Sequence, residues 1–254
     1  MNLSIARTAM PNLQQLILIT LLFLLPTSSY AKGDVVGHIE YLKGDVAYAH
    51  HDTWQKAALQ QPLQEGDHVR TGETSRLRVR FVDGSTMQLG EKAEAIIQRY
   101  KTADDMSVLD SLLELVQGRA RFIVEKINRK EATYHIESRA VLIGVRGTDI
   151  LLQSQSDTAD VALAEGSIDI HSQKGSGSLR MQVGEYSQVS MGQDHLQRSA
   201  IPDPWLTAFM RDVGSSQEGK KKKKGQQEDD STPPANMLQQ QTQNRTAFPT
   251  VIPR

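Results

Sequence analysis

Residues 33–200 read as an all-β domain, on three observations. Apolar and polar residues alternate in short runs, at the two-residue period of a pleated strand. Glycines at 44, 66, 84, 118, 166 and 184 fall in similar places between those runs. The stretch is long enough, at roughly 170 residues, to bury most of its unfolded surface without covalent staples, and the chain has no cysteine to make any. Many short strands joined by glycine-rich turns describe a sandwich, a barrel or a β-helical roll. The glycine separations are unequal, which excludes a strict solenoid repeat.

The first run is Val36-Gly37-His38-Ile39-Glu40-Tyr41, followed by the turn Lys43-Gly44-Asp45 and the run Val46–Ala49. Trp54 and Leu63 flank a polar connection that ends at Gln64-Glu65-Gly66-Asp67, before Val69. In the cleanest alternation, Leu77, Val79 and Phe81 share one face, with Arg76, Arg78 and Arg80 on the other. Asp83-Gly84 predicts a hairpin through a type I′ turn, which needs positive φ at both central residues. Met87 and Leu89 resume the pattern beyond it. Ala93–Gln98 fits either a strand or a helical turn. Around Ser111–Val124, Leu109, Leu112, Leu113 and Val116 match helical spacing, but Leu113 with Leu115, and Ala120, Phe122 and Val124, alternate around Gln117-Gly118-Arg119. A hairpin is expected there. Thr133–Glu137, Val161–Leu163, Ile168 with Ile170, Leu179–Val183 and Tyr186–Val189 complete the series. Their turns are Ala164-Glu165-Gly166, Gln173–Ser178 and Val183-Gly184-Glu185.

Ala140–Leu152, AVLIGVRGTDILL, is the stretch around which the rest is organised. Val141, Ile143 and Val145 alternate in one phase, and Ile150 and Leu152 in the other. A slip of one residue at a glycine is what a β-bulge produces, and it can carry a strand from one sheet to another. Arg146 stands just before the slip, with Gly147, Thr148 and Asp149 after it. If the strand is buried, the Arg146 guanidinium needs acceptors, because an unpaired buried charge is costly. Asp149 and nearby carbonyls are the closest. Arg146 is therefore expected to be a structural pin, its loss felt in stability, with an anion-holding role as the rival reading.

Both ends differ from the middle. Met1–Ala31 has a polar start with Arg7, an apolar run from Leu16 to Leu25, and Ser29-Tyr30-Ala31 in the small-x-small pattern. That is the layout of a cleaved secretory signal peptide, and the run is short of the about 20 apolar residues a spanning helix needs. A periplasmic location follows as the expectation, the alternative being a retained anchor. After the β domain, Trp205, Leu206, Phe209 and Met210 share one face of a short helix over 201–213, with Asp203 and Pro204 at its start. Four large apolar groups favour docking on the β domain over presentation to a partner. Residues 214–254 hold the block Lys220, Lys221, Lys222, Lys223 and Lys224, then Glu228-Asp229-Asp230, then a Gln-, Pro- and Thr-rich run. Such a composition predicts a disordered tail. Its lysines are candidates for contact with peptidoglycan or an anionic membrane surface.

The chain carries a formal net charge of −1, which gives no argument for nucleic acid. Its seven histidines are scattered, without HExxH or cysteine partners, and His50-His51 point to opposite strand faces. No metal or cofactor is implied. Nucleophile elbows, phosphate loops and dinucleotide fingerprints are absent. Asp45, Asp67 and Asp83 adjoin turn glycines, where their carboxylates cap backbone amides. Nothing linear argues for an enzyme.

Six marks occur in order: Gly44-Asp45-Val46, Glu65-Gly66-Asp67-His68-Val69-Arg70-Thr71-Gly72, Phe81-Val82-Asp83-Gly84-Ser85, Gln117-Gly118-Arg119, Gly144-Val145-Arg146-Gly147-Thr148 and Ala164-Glu165-Gly166-Ser167. Together they resemble the FecR domain, a periplasmic module. The VRGT segment is the most specific. The resemblance implies a β-helical roll or jelly-roll-like fold over about residues 33–189. It also implies a non-catalytic role in sensing or relaying signals at the cell envelope, with an envelope protein as partner. Family members that act as anti-sigma regulators have a cytoplasmic segment and a membrane span before this domain. Only a short exported leader precedes Gly33 here, so iron-uptake regulation is not carried over. A cell-wall glycan-binding module is the alternative function.

Overall fold

The computed structural model describes residues 34–50, 53–103, 108–126 and 132–214. The expected signal peptide, the tail with its lysine block, and His51 lie outside the described residues. Within them the chain is all-β with one short C-terminal helix.

The polypeptide passes back and forth between two sheets. β1 (Val35–Lys43) lies in the first sheet, and β2 (Val46–His50) and β3 (Thr53–Lys56) in the second. β4 (Pro62–Gln64) returns to the first and β5 (His68–Thr71) to the second. β6 (Arg76–Phe81) and β7 (Thr86–Leu89) form a hairpin in the first, and β8 (Glu94–Thr102) pairs in the second. β9 (Val108–Val124) runs through both. β10 (Thr133–Glu137) and β11 (Val141–Val145) belong to the second sheet, β12 (Thr148–Gln155) and β13 (Thr158–Glu165) to the first. β14 (Ser167–Ser172) and β15 (Ser178–Gln182) follow in the second, and β16 (Glu185–Ser190) and β17 (Ser199–Ala200) close the first. Strand order is β4-β1-β6-β7-β9-β12-β13-β16-β17 in one sheet and β3-β2-β5-β8-β9-β10-β11-β14-β15 in the other. β9 and β10 pair in parallel; the other ladders are antiparallel.

The turn glycines now have a common explanation. Glycines 44, 66, 118, 147, 166 and 184 sit at crossings between the sheets, all with positive φ, while Gly84 closes the β6–β7 hairpin. The inward residues of both sheets form one core, including Val79, Phe81, Leu113, Ile136, Ile143, Ile150, Leu152 and Ile170. Phe81 of the first sheet stacks on Tyr100 of the second, ring centroids 4.8 Å apart. One apolar filling thus holds two layers together.

Two local expectations are corrected. Ser111–Val124 is not a hairpin: β9 is a single strand that turns through Gly118 at φ +88° and changes sheet without reversing. The glycine is required there, since a Cβ would lie 2.6 Å from Ala93 Cα. The Asp83-Gly84 turn is not type I′, because positive φ occurs at Gly84 and not at Asp83. Asp83 instead holds the loop with its side chain, accepting from Ser85 N at 2.9 Å and Ser85 Oγ at 2.7 Å. Of Ala93–Gln98, all but Ala93 resolves as strand, within β8.

Helix α1 (Asp203–Val213) packs on the outer face of the first sheet. Its N-cap is Pro202, and Asp203 is the first helical residue. Phe209 and Val213 are buried against Leu151 and Ala162, with Tyr186, Ile201, Trp205, Leu206 and Met210 around them. This is why β12 is buried on both faces. Asp212 fixes the last turn, accepting from Glu91 N at 2.7 Å and pairing with Arg119 at 3.3 Å.

Candidate functional site

The four signature residues are brought together, at the crossing from β11 to β12, but not in the expected roles. β11 ends in the second sheet, and β12 begins in the first after two residues. Gly147 makes the crossing at φ +75°, where a Cβ would lie 2.9 Å from Lys126 Cα. Gly166, at the next crossing, is packed the same way: a Cβ there would meet the Gly147 carbonyl at 2.6 Å and Thr148 Cγ2 at 2.7 Å. Successive corners therefore lie directly on one another. The phase slip in the sequence is this corner.

Arg146 is exposed and bonds to no side chain or carbonyl among the described residues. It does not pin the strand, because its guanidinium points to water at the corner and needs no protein acceptor. Thr148 is buried, its Oγ1 without a hydrogen-bond partner among the described residues. Asp149 is buried and held by Arg121: Nε donates to Oδ1 at 2.8 Å, and Nη2 to Oδ2. Arg121 stands opposite Leu151 across the β9–β12 ladder, one diagonal step from Asp149 on the outward face. The fork-to-carboxylate geometry supplies both charges with bonds in a site screened from water. Sequence reasoning found the acid and missed its base. Arg119 and Arg121 alternating beside Ala120 and Phe122 were the available signal, but only the register of two distant strands says which arginine meets Asp149.

A second polar knot lies under the β6–β7 hairpin. Asp83 Oδ1 also accepts from the Tyr100 hydroxyl at 2.8 Å, and Ser85 Oγ accepts from Glu125 N at 3.0 Å. Burial pushes both the Tyr100 and the Tyr134 phenols well above their ordinary range, and the two rings meet edge to face at 6.2 Å. Neither is an acid or base near neutrality, and the knot is structural. Asp67 likewise caps Gln64 N at 2.7 Å while its other oxygen bonds to His50 Nδ1. The Asp45 carboxylate caps no backbone amide among the described residues; the Asp45 N–H donates to Ser75 Oγ at 2.9 Å.

The outer face of the second sheet carries scattered charges. Arg70 lies 4.0 Å above the Trp54 ring, and His68 meets that ring edge-on. Glu114 and Glu137 are in register on the parallel pair β9 and β10. Burial first, and then the Glu114 charge, push the Glu137 carboxyl above its usual range. Burial holds the His135 imidazole below its ordinary value. Among the described residues no three His, Cys, Asp or Glu side chains are grouped to hold a metal ion. No helix among them is long and apolar enough to cross a membrane.

Comparison with known proteins gives two results. Residues 67–169 match the family model of the FecR protein. Among solved structures, two crystal structures of a protein assigned as an anti-sigma factor from Parabacteroides distasonis ATCC 8503, at 1.65 and 2.50 Å resolution, are similar. Each is 16% identical with a TM-score of 0.45, over 56% of this chain. The match spans 64% and 63% of those chains, just under two thirds of their length. No curated protein matches the sequence.

Proposed function

We propose, from the match of residues 67–169 to the FecR family model, that the chain is a non-catalytic, exported regulatory protein of that family. It acts as a protein-interaction and signal-relay module in the bacterial cell envelope, in the periplasm. The observation that carries the reading is the family match itself, which spans the β6–β7 hairpin and the Gly118, Gly147 and Gly166 corners that build the two-sheet body. The residues of the VRGT corner serve the fold: Gly147 and Thr148 stack against neighbouring corners, and Asp149 ties β12 to β9. Function then falls to the outer faces, which is where an interaction module presents its chemistry.

The test is capture of a partner. The purified chain, crosslinked mildly in an envelope fraction, should retain one envelope protein that mass spectrometry identifies. That protein, used as bait in turn, should retain this chain. Recovery of no specific protein in either direction would remove the interaction role.

A further inference from the structure

The first sheet's outer face is only half covered. Helix α1 lies over β12 and β13, packing on Leu151, Ala162 and Tyr186, and its last turn reaches β6 at Arg76. Strands β1 and β6 carry Lys43, Arg76, Arg78 and Arg80 against the single carboxylate of Glu40. Two of these four cations are occupied. Arg80 donates to the Gly84 carbonyl at 2.8 Å and pairs with Glu40 at 3.3 Å, and Arg76 donates to the Arg211 carbonyl at the end of α1. Arg78 between them is not: it bonds to nothing among the described residues, and its Nε is buried without a partner. Directly across the ladder, Gln88 is 4% exposed with its Oε1 also unbonded. On the other side of Arg78 stands Tyr41, a large side chain left 41% exposed. Buried polar groups are almost always bonded, and the unbonded Gln88 Oε1 behind Arg78 shows that the protein itself supplies no partner here, which leaves Arg78 a charged side chain with no counter-ion beside an exposed tyrosine.

We propose that Tyr41 and Arg78, neighbours across the β1–β6 ladder, are the centre of a docking surface for an extended acidic segment of a partner protein. Three details favour that occupant. The guanidinium of Arg78 has no acceptor among the described residues, and a carboxylate is the acceptor that its planar fork fits best. Arginines at every second position of β6 are spaced by about 6.8 Å, which is the spacing of alternate side chains in an extended peptide. Tyrosine and arginine are the residues on which binding energy concentrates at interfaces. The net positive charge of β1 and β6 adds long-range attraction for an acidic chain. The inference rests on the interaction role proposed above and names its surface.

The experiment is a fluorescence-anisotropy titration of the full chain with a labelled, end-blocked peptide of alternating glutamate and threonine. A peptide of the same composition with its glutamates in one block is the comparison. The alternating peptide should bind more tightly, and Arg78→Ala should weaken it by about tenfold, the range of an interfacial arginine anchor. Arg78→Lys should restore only part, because an ammonium lacks the planar fork. Arg78 holds no bond in the free protein, so the Arg78→Ala protein should melt no lower than the parent. Equal binding by the parent and Arg78→Ala would mean that the Arg78 guanidinium meets only solvent, and would overturn the proposal. Equal affinity for the two peptides would reduce it to general charge attraction and overturn it as well. A captured envelope partner whose crosslinks fall away from β1, β6 and β7 would sink this surface and leave the interaction role standing. Arg78-dependent peptide binding without any captured partner would do the reverse.

Discussion

Arg146 and Asp149, three residues apart in the sequence, end in opposite environments, and the difference sets what each substitution does. Arg146 is solvent-exposed, so Arg146→Ala should change stability by no more than about 0.5 kcal/mol, as for surface positions away from special features. Asp149→Ala leaves the Arg121 guanidinium buried and unpaired, and stranding one member of a buried pair costs about 3–5 kcal/mol. Chemical denaturation of the two variants side by side checks the contrast, and an Arg146→Ala loss as large as that of Asp149→Ala would refute it. The corner glycines divide in the same manner. Gly184 has positive φ but open space around it, whereas Gly166 has positive φ and the Gly147 carbonyl 2.6 Å from where a Cβ would sit. Gly184→Ala should therefore cost about 1 kcal/mol of left-handed strain, and Gly166→Ala more. Two neighbouring titrating groups pull stability in opposite directions with pH. His135 has its pKa lowered from 6.5 by burial, so as pH falls through 6.5 the unfolded chain takes up the proton first and the fold loses stability. Glu137 has its pKa raised from 4.5, so the unfolded chain ionises first as pH rises, and stability is lost between 4.5 and the raised native value. Melting curves across pH 4 to pH 8 should show a shallower acid-side decline for His135→Gln, and for Glu137→Gln a gain that grows with pH.

Element by element, local pattern was a good guide wherever one strand or helix sufficed to explain itself. The Arg76–Phe81 alternation became β6 with its arginines outward, and the Trp205, Leu206, Phe209 and Met210 spacing became α1. β9 shows where that guidance stops. A glycine between two alternating runs looks the same whether the chain folds back or bends onward, and the choice at Gly118 is made by distant partners, β8 and β10 on one half, β7 and β12 on the other. The candidate site was half legible for the same reason. The VRGTD stretch was recognisable as a crossing, but Arg121 could not be assigned to Asp149 without the register of β9 on β12. At α1, the local rule predicts docking and the structure supplies its anchors. Phe209 is fully buried, so Phe209→Ala should cost about 3–5 kcal/mol. Asp212 contributes two bonds at the last turn, and Asp212→Ala should cost about 1–3 kcal/mol by leaving their donors unmet. Hydrogen exchange separates this from general destabilisation: the amides of 207–213 should lose protection in Asp212→Ala while those of β12 keep theirs.

At the scale of the molecule, two layers that share a strand and a core should behave as one body. Neither sheet has an apolar filling of its own, because the inward residues of both contribute to a single cluster. β9 adds a covalent tie, with residues up to Gln117 laddered to β8 and residues from Gly118 onward laddered to β12. Loss of either sheet would expose the inner face of the other, so partly unfolded forms are unfavourable and a two-state transition is expected. The two tryptophans happen to report on different layers: Trp54 lies on β3 of the second sheet, and Trp205 packs beside Tyr186 on the first. Trp54→Phe leaves a fluorescence signal from α1 and the first sheet, and Trp205→Phe leaves one from the second. In each single-tryptophan protein, urea unfolding followed by fluorescence should coincide with unfolding followed by far-ultraviolet circular dichroism. A fluorescence midpoint that departs from the dichroism midpoint of the same protein would show that one layer can open without the other, and that β9 is a hinge between two bodies rather than the spine of one.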